Sequence, residues 1–335
     1  AGRTDERREL ARPMTAKLGA GANIKEQLKK RSRPGERVII GSLFIAGAIS
    51  IAVTAGILWE LGKESLLFFT DEVVSVGQFF TSTVWQPQAE NFGIWPLILG
   101  TMLITVIALF VAVPIGLASA IYLSEYASAR VRGFFKPLLE ILVGIPTVVF
   151  GFFAITFVTP ILRDIFGTSV VGFFNVLSAG IVVGLLIVPL ISSLAEDAMS
   201  AVPNSLRQAA YGLGASKLEV SLRVVVPAAL SGIAAGIVIG MSRAVGETMV
   251  VTLAAGASPR NFDLGGDSLF GYILSPFEAA QTMTGYIAIT ASGDISYDTI
   301  DYNSIFAIGL TLFVITLGLN SLSRRIVKRF RQEYE

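Results

Sequence analysis

Two ionisable residues stand inside an otherwise apolar stretch, because Arg243 and Glu247 occur four residues apart within residues 228–256. A charged residue at the centre of a membrane span costs roughly 2.5–3.5 kcal/mol on insertion scales, so it is a functional candidate. A guanidinium donates two parallel hydrogen bonds to a tetrahedral oxyanion and stays charged at any relevant pH. The pair therefore predicts an anion path in which Glu247 holds Arg243 when no anion is bound. The alternative is a structural ion pair at the helical spacing i, i+4.

Three glycines precede this pair at intervals of four residues: Gly232, Gly236 and Gly240. At 100° per residue of a continuous helix, they share one stripe with Arg243 and Glu247. Glycines at this spacing let helix backbones approach closely. We therefore expect the stripe to face a neighbouring helix or a cavity and not lipid.

Composition excludes most other chemistry. The 335 residues contain no Cys and no His, which removes catalytic triads, thiolate sites and His-based zinc sites, and no metal or other cofactor is expected. Only 15% of the residues are charged, and mean hydropathy is +0.68. A soluble domain carries about 25% charged residues. The composition indicates an integral membrane protein and makes a membrane-embedded enzyme an unfavourable alternative.

Six stretches are long and apolar enough for a helix of about 20 residues to cross a bilayer. They predict an all-α membrane fold with spans at about 38–58, 95–123, 138–162, 176–194, 228–256 and 304–322. Pro114 and Pro146 fall inside the second and third spans, and Glu140 lies near the start of the third. Internal prolines are tolerated where neighbouring helices satisfy the freed backbone groups.

The distribution of basic residues predicts the orientation. Of the 26 Lys and Arg residues, 22 fall in the tail 1–37, in the loops 124–137 and 195–227, and in the tail 323–335. An excess of Lys and Arg marks the cytoplasmic side. Both termini are therefore predicted to be cytoplasmic. Glu196 and Asp197, just after the fourth span, are expected to form a solvated boundary.

The loop 195–227 carries a spaced motif. Gln208-Ala209-Ala210 is followed after three residues by Gly214, and nine residues later by Val224, with Val226 and Pro227 completing it. This resembles the EAA coupling loop of ABC importer permeases, EAA-x3-G-x9-I-x-L-P, with Gln208 in place of the usual Glu. The resemblance implies the MetI-like type I permease fold, in which the loop docks the ATPase. The residues that it implicates are Gln208, Ala209, Ala210, Gly214 and Pro227.

Two further stretches, residues 137–151 and 242–249, resemble the third- and fifth-helix signatures of the permeases of phosphate ABC importers. The run Gly246-Glu247-Thr248-Met249 and the stretches 281–284 and 306–313 look like the PstC type, and the resemblance covers roughly residues 60–330. It links Arg243 and Glu247 to phosphate passage. It also places the chain in a prokaryotic plasma (inner) membrane, in contact with lipid. The implied partners are a homologous PstA-type permease, a PstB-type ATP-binding dimer and an extracytoplasmic PstS-type phosphate-binding protein, with no nucleic acid.

Two alternatives remain open at this point. The permease of another oxyanion importer, for molybdate or sulfate, would share the fold and the coupling loop. A secondary transporter would need no ATPase, but it leaves the coupling-loop match unexplained. The chain has no G-x-x-x-x-G-K-[ST] phosphate-binding loop, so ATP hydrolysis is expected on a separate subunit and this chain is not expected to be an enzyme.

Overall fold

The computed structural model describes residues 34–262, 271–272, 275–293, 296 and 299–330. The predicted tails therefore fall largely outside the described residues. The chain divides into two compact units, residues 1–58 and 59–335. In the first unit, the described residues form the opening part of a long helix whose apolar side chains are exposed.

The second unit is built almost entirely of helices. In chain order the helices are α1 (Pro34–Thr70, shared with the first unit), α2 (Val76–Thr81), α3 (Trp95–Ile121), α4 (Ala129–Val143), α5 (Thr147–Phe166), α6 (Val176–Ser200), α7 (Asn204–Gly212), α8 (Lys217–Ala228), α9 (Leu230–Val245), α10 (Met249–Ala254), α11 (Met283–Ser292) and α12 (Ile300–Phe330). A short antiparallel hairpin, β1 (Trp85–Gln86) with β2 (Asn91–Phe92), pairs Trp85 with Phe92.

Five helices of the described chain are long and apolar enough to cross a membrane: α1, α3, α5, α6 and α12. The helices α8 and α9 pass the same test together, but they are bent by 71° at Ala229. If the bent pair is counted as one span, the described chain has six. The all-α, six-span prediction is confirmed at this level, although several helix bounds differ from it.

The third predicted span, 138–162, was wrong as a single helix. Its first residues belong to α4, which ends at Val143, and a new helix begins at Thr147 after Pro146. A proline disfavours helical backbone in the residue before it and offers no N–H group to continue a helix. Glu140 consequently lies in α4 and not at the start of a span. The helices at the fourth and sixth predicted spans are α6 and α12, and both are longer than predicted. Helix α6 ends at Ser200, and α12 runs from Ile300 to Phe330.

Helices α3 and α6 form the most extensive helix pair of the described chain. Their contact is made by small residues, since a Cβ atom added at Gly180 would lie 2.6 Å from Ile107 Cγ2 and one at Gly184 would lie 2.8 Å from the Ala108 carbonyl oxygen. Small residues at helix crossings allow this close approach. Helix α9 packs chiefly on α6, and also on α12 and α3.

A second core is aromatic. It joins the end of α1 to the hairpin and to α11 through edge-to-face contacts, with ring centroids 5.0–5.7 Å apart. Helix α12 adds aliphatic side chains to it. Its fully buried side chains include Phe68, Phe79, Trp85 and Ile308. This core holds the segment between α1 and α3 against the rest of the second unit.

Candidate functional site: helix α9 and the segment before it

The three glycines of α9 face α6. A Cβ atom added at Gly232 would lie 2.4 Å from Ala198 Cβ, and one at Gly236 would lie 3.1 Å from Leu194 Cβ. At Gly240, the closest atom is Ile187 Cγ2 at 2.9 Å. The glycines therefore bring the backbone of α9 against α6 over about three turns.

Arg243 lies in the last turn of α9, one turn beyond the glycines, and its side chain is exposed. Among the described residues, this guanidinium makes no hydrogen bond or ion pair. The last turn of a helix carries partial negative charge on its free carbonyl groups, which favours a cation there. Arg243 is thus a fixed positive charge with its donors unused within the described chain.

Glu247 lies beyond the end of α9. The helix stops at Val245, and Gly246, Glu247 and Thr248 separate it from α10. The Thr284 hydroxyl donates to the Glu247 carbonyl oxygen at 2.7 Å, which satisfies a backbone acceptor that the break leaves free. The Glu247 carboxylate is buried and its Oε1 accepts from the Val250 N–H at 3.4 Å, so it caps the start of α10.

The prediction of one continuous helix over 228–256 is therefore wrong, and the shared stripe does not extend to Glu247. Among the described residues, no ion pair joins Arg243 to Glu247, and the Arg243 side chain is exposed whereas that of Glu247 is buried. Gly246 and the carbonyl bond from Thr284 give the physical reason for the break. The alternative of an i, i+4 structural ion pair fails with the helix on which it depended.

A cavity of about 580 Å³ lies elsewhere in the second unit, and its lining contrasts with the surroundings of Arg243. No Lys or Arg occurs among its described lining residues, which include Gln86, Gln281, Tyr286 and Asp301. Burial raises the pKa of the Tyr286 phenol, which therefore stays neutral. With a carboxylate and neutral groups only, this cavity is unsuited to an oxyanion.

The segment between α6 and α9 contains the residues predicted to couple to an ATPase. Helix α7 ends at Gly212, and Gly214 follows in the left-handed conformation with φ +83°. The Ala215 N–H bonds the Ala210 carbonyl oxygen at 3.1 Å, and the Gly214 N–H bonds the Tyr211 carbonyl oxygen at 2.9 Å. These two bonds form a Schellman motif, which requires φ > 0 at the position of Gly214.

Helix α8 begins with a capping box, in which Ser216 and Glu219 bond each other's backbone N–H groups. It then passes through a π-helical turn, Ser221–Val225, before Pro227. A proline ring clashes with the carbonyl four residues earlier in a regular helix, and a π turn or a bend relieves that clash. The 71° bend at Ala229 then directs the chain into α9.

Gln208, Ala209, Gly214 and Pro227 are exposed, and Ala210 is half-buried. Between the two glycines, Leu213 is 90% exposed. Tyr211, Leu218 and Leu222 are also exposed. Sequence reasoning missed this apolar surface, although a leucine flanked by glycines in a polar loop was a signal that could have indicated it.

The predicted solvated boundary at Glu196 is wrong. Glu196 lies within α6, its side chain is 1% exposed, and it pairs with Arg132 and with Lys136 of α4, the latter at 2.8 Å. Only Asp197, 59% exposed, behaves as a boundary residue. Helix α4 turns Arg132 and Lys136 toward α6, an arrangement that the lysine and arginine count of the loop could not show.

The two parts of the candidate site stand apart. Arg243 lies near the end of α9 and the coupling segment joins its start, about 20 Å away at 1.5 Å per residue. The structure therefore does not bring the two predicted residue sets together. It connects them through one helix that packs on α6.

Comparison with known proteins places this architecture. The family model described as "Binding-protein-dependent transport system inner membrane component" matches residues 112–332. A probable ABC transporter permease of Bacillus subtilis, YqgH, is 32% identical over 297 residues, covering 88% of this chain and 90% of that protein. The phosphate transport system permease PstC of Mesorhizobium japonicum is 31% identical over 307 residues, covering 86% of each.

A solved bacterial alginate ABC transporter, in complex with a pentasaccharide-bound periplasmic protein, has a chain that matches this fold with a TM-score of 0.59. The match covers 90% of this chain and 99% of that chain at 14% identity, a level that speaks to the fold alone. The chain therefore belongs to the family of binding-protein-dependent transport system inner membrane components, as a PstC-like permease subunit of the ABC importer type.

Proposed function

We propose that this chain is a permease subunit of an ATP-driven importer of inorganic phosphate and that Arg243 lies on the phosphate path. The observation that carries the proposal is the exposed guanidinium of Arg243, whose donors are unused by the described chain. Such a group binds hydrogen phosphate through two parallel hydrogen bonds. The similarity to proteins named as PstC phosphate permeases supports the choice of anion.

The end of α9, where the Arg243 side chain is exposed, would be completed by a second, homologous permease, so that the path runs between the two subunits. Gly232, Gly236 and Gly240 hold the preceding turns of α9 on α6. An extracytoplasmic phosphate-binding protein would deliver the anion. The path would then open alternately to the two sides, as in a two-state element biased by ATP.

The ATP-binding subunits would dock on the segment from Pro203 to Pro227. Its exposed residues include the small side chain of Ala209 and the protruding Leu213, which suit a groove of a partner protein. In this orientation both termini lie in the cytoplasm of a prokaryotic cell and the chain crosses the plasma membrane. The charge distribution of the loops supports that orientation.

The test is phosphate uptake by the complete transporter in proteoliposomes. Arg243→Ala should reduce uptake at least 100-fold with assembly intact, and Arg243→Lys should restore only part of it because an ammonium lacks the planar fork. Glu247→Gln should have a smaller effect, since Glu247 caps α10 and does not hold Arg243. The exposed Arg324, changed to Ala, is the matched control.

Wild-type uptake by Arg243→Ala at equal expression would contradict the anion path. If sulfate or molybdate inhibited phosphate uptake when added at the same concentration as phosphate, the substrate would be another oxyanion. A fall in uptake with Arg324→Ala equal to that with Arg243→Ala would show a general effect of surface charge.

A further inference from the structure

Within the described chain, the Arg207 side chain makes more polar contacts than any other side chain of α7. Its Nη2 donates to Glu125 Oε1 at 2.9 Å and to the Met199 carbonyl oxygen at 2.8 Å. Its Nη1 donates to the Val202 carbonyl oxygen at 2.6 Å, and its Nε lies 3.4 Å from Glu125 Oε2. One side chain of α7 thus reaches two other parts of the fold.

These two parts are the ends of the central helix pair. Glu125 lies in the π-helical turn Tyr122–Tyr126 that ends α3. Met199 lies in the last turn of α6, and Val202 follows that helix. Arg207 therefore ties α7 both to α3 and to α6, the most extensively packed helices of the described chain.

Burial separates this ion pair from an ordinary surface pair. The Arg207 and Glu125 side chains are 14% and 5% exposed. In the next helix, α8, Arg223 and Glu219 pair at 3.9 Å with side-chain exposures of 80% and 49%. Exposed pairs contribute little because water and salt screen them, whereas removing one partner of a buried pair leaves an uncompensated charge.

The rest of α7 gives it few other attachments. Helix α7 has no fully buried side chain, and only Leu206 and Ala210 pack in part against the core beside it. A force applied to α7 would reach α6 through the short connection 201–203 and through Arg207, and its polar route to α3 is Arg207. Glu125 is itself braced, because the Ser124 hydroxyl donates to its Oε1 at 3.0 Å.

We infer that Arg207 and Glu125 form a positioning pair, here called the Arg207 clamp, that holds α7 on the ends of α3 and α6 and transmits its displacement to them. The role in transport rests on the proposed function, in which an ATPase docks on α7 and α8. The holding of α7 does not rest on it. Two measurements therefore separate the two statements.

The first measurement needs no transport. The chain contains no cysteine, so nitroxide labels can be placed on Tyr122→Cys and Ser205→Cys, which are both exposed positions. Pulsed electron resonance on the full chain in lipid nanodiscs should give one narrow distance distribution. Glu125→Gln and Arg207→Gln should each at least double its width, and Arg223→Gln should leave it unchanged.

The second measurement is phosphate transported per ATP hydrolysed by the complete transporter. Glu125→Gln and Arg207→Gln should each lower this ratio at least fivefold, and the double variant should be no worse than either one, because the pair acts as a unit. Arg207→Lys should be intermediate, since it keeps the charge and loses the fork. Lys63→Gln, which breaks a pair with Glu60 in which both side chains are more than half exposed, should stay within twofold of wild type.

The outcomes discriminate between the two statements. Unchanged distance distributions in Glu125→Gln and Arg207→Gln would overturn the clamp. Broadened distributions with a wild-type transport ratio would show that the pair holds α7 without transmitting movement, and the inference would fall. Additive losses in the double variant would also contradict it. A wild-type complex in which phosphate and ATP hydrolysis are unlinked would sink the proposed function, and the distance measurement would still decide whether the clamp holds α7.

Discussion

The glycines of α9 and the glycine that ends α7 serve opposite needs. Gly232, Gly236 and Gly240 lie in regular helix, and each lacks room for a side chain because α6 packs against it. Gly214 has nothing within 4 Å of an added Cβ atom, but its φ of +83° lies in the left-handed region. One region selects glycine for space and the other selects it for backbone conformation.

The two regions should therefore differ in which substitutions they tolerate. In the packed region the cost of a substitution should grow with side-chain volume, because protein interiors are close-packed. In the open segment the cost should depend on whether a residue accepts positive φ, whatever its size. The packing of α9 on α6 is therefore needed for folding, whereas the segment around Gly214 is free to present a surface to a partner.

The largest effect is expected from Gly232→Leu. The nearest neighbour of Gly232 is Ala198 Cβ, 2.4 Å from the added atom, and an alanine has no rotamer by which to move away. Overpacking costs typically about 1–3 kcal/mol, and more where the neighbour is rigid. We expect a lower thermal midpoint of unfolding in detergent and loss of assembly.

Two further variants test whether the loss of stability depends on crowding around the glycine. Gly236→Ala should cost less, because it meets the flexible Leu194 at 3.1 Å. Gly318→Leu in α12, where nothing lies within 4 Å, should leave the thermal midpoint of the isolated chain unchanged. Equal losses in the variants at 232 and 318 would mean that crowding does not distinguish these glycines.

The second prediction concerns Glu196, the buried carboxylate near the end of α6. Glu196→Gln removes the buried carboxylate that accepts from Lys136 and Arg132. Hydrogen bonds to a charged group contribute about 1.5–3 kcal/mol, and the partly exposed partners place the expected loss at the lower end of that range. Asp197→Asn, at the 59% exposed neighbouring carboxylate, is the control for a thermal unfolding measurement. An equal loss in both variants would show that burial of Glu196 is not what matters.

A structural feature can be predicted from the sequence when neighbouring residues in the chain determine it. The apolar runs around residues 95–121 and 176–200 predict their helices, since length and hydropathy alone decide such a segment. The break before Thr147 also has a local signal, since Pro146 disfavours helical backbone in the residue before it. The break at 246–248 has a local sign in Gly246, but the hydroxyl of Thr284 that bonds the Glu247 carbonyl oxygen lies 37 residues away, and no local pattern contains it.

The candidate site divides in the same way. Gly214 could be predicted because the spacing of the loop motif and the end of α7 are both local. The exposure of Arg243 and the burial of Glu247 could not, because a continuous helix would place them on one face. The bond from Arg207 to Glu125 joins residues 82 positions apart, so only the folded chain shows it.

The third prediction concerns the open segment. Gly214→Val should be strained by about 1–2 kcal/mol, because a β-branched residue disfavours the left-handed region, while Gly214→Asn should be tolerated. Membrane helices should stay folded in both variants. With Gly214→Val, retention of the ATPase during purification or ATP hydrolysis stimulated by the binding protein should fall, and with Gly214→Asn it should not.

Gly212→Val is the matched control for this pair. Gly212 lies in the same turn and in equally open space, but its backbone is helical. Its variant should therefore keep ATPase retention close to wild type. Equal loss at 212 and 214 would indicate that added bulk at a docking surface, and not backbone conformation, decides the outcome.

The smallest effect is expected at the start of α8. Ser216→Ala removes the side-chain oxygen that accepts from the Glu219 N–H at 3.4 Å. Loss of such a cap costs typically about 1 kcal/mol of helix stability, and the reciprocal bond from the Ser216 N–H to Glu219 Oε2 at 2.9 Å remains. Faster amide hydrogen exchange should be confined to the first turn of α8, since nothing in the packed region depends on this cap. Ser205→Ala, at an exposed serine of α7, should leave exchange in α8 unchanged. Faster exchange spreading into α9 would break the comparison, because it would show that the open segment and the packed region unfold together.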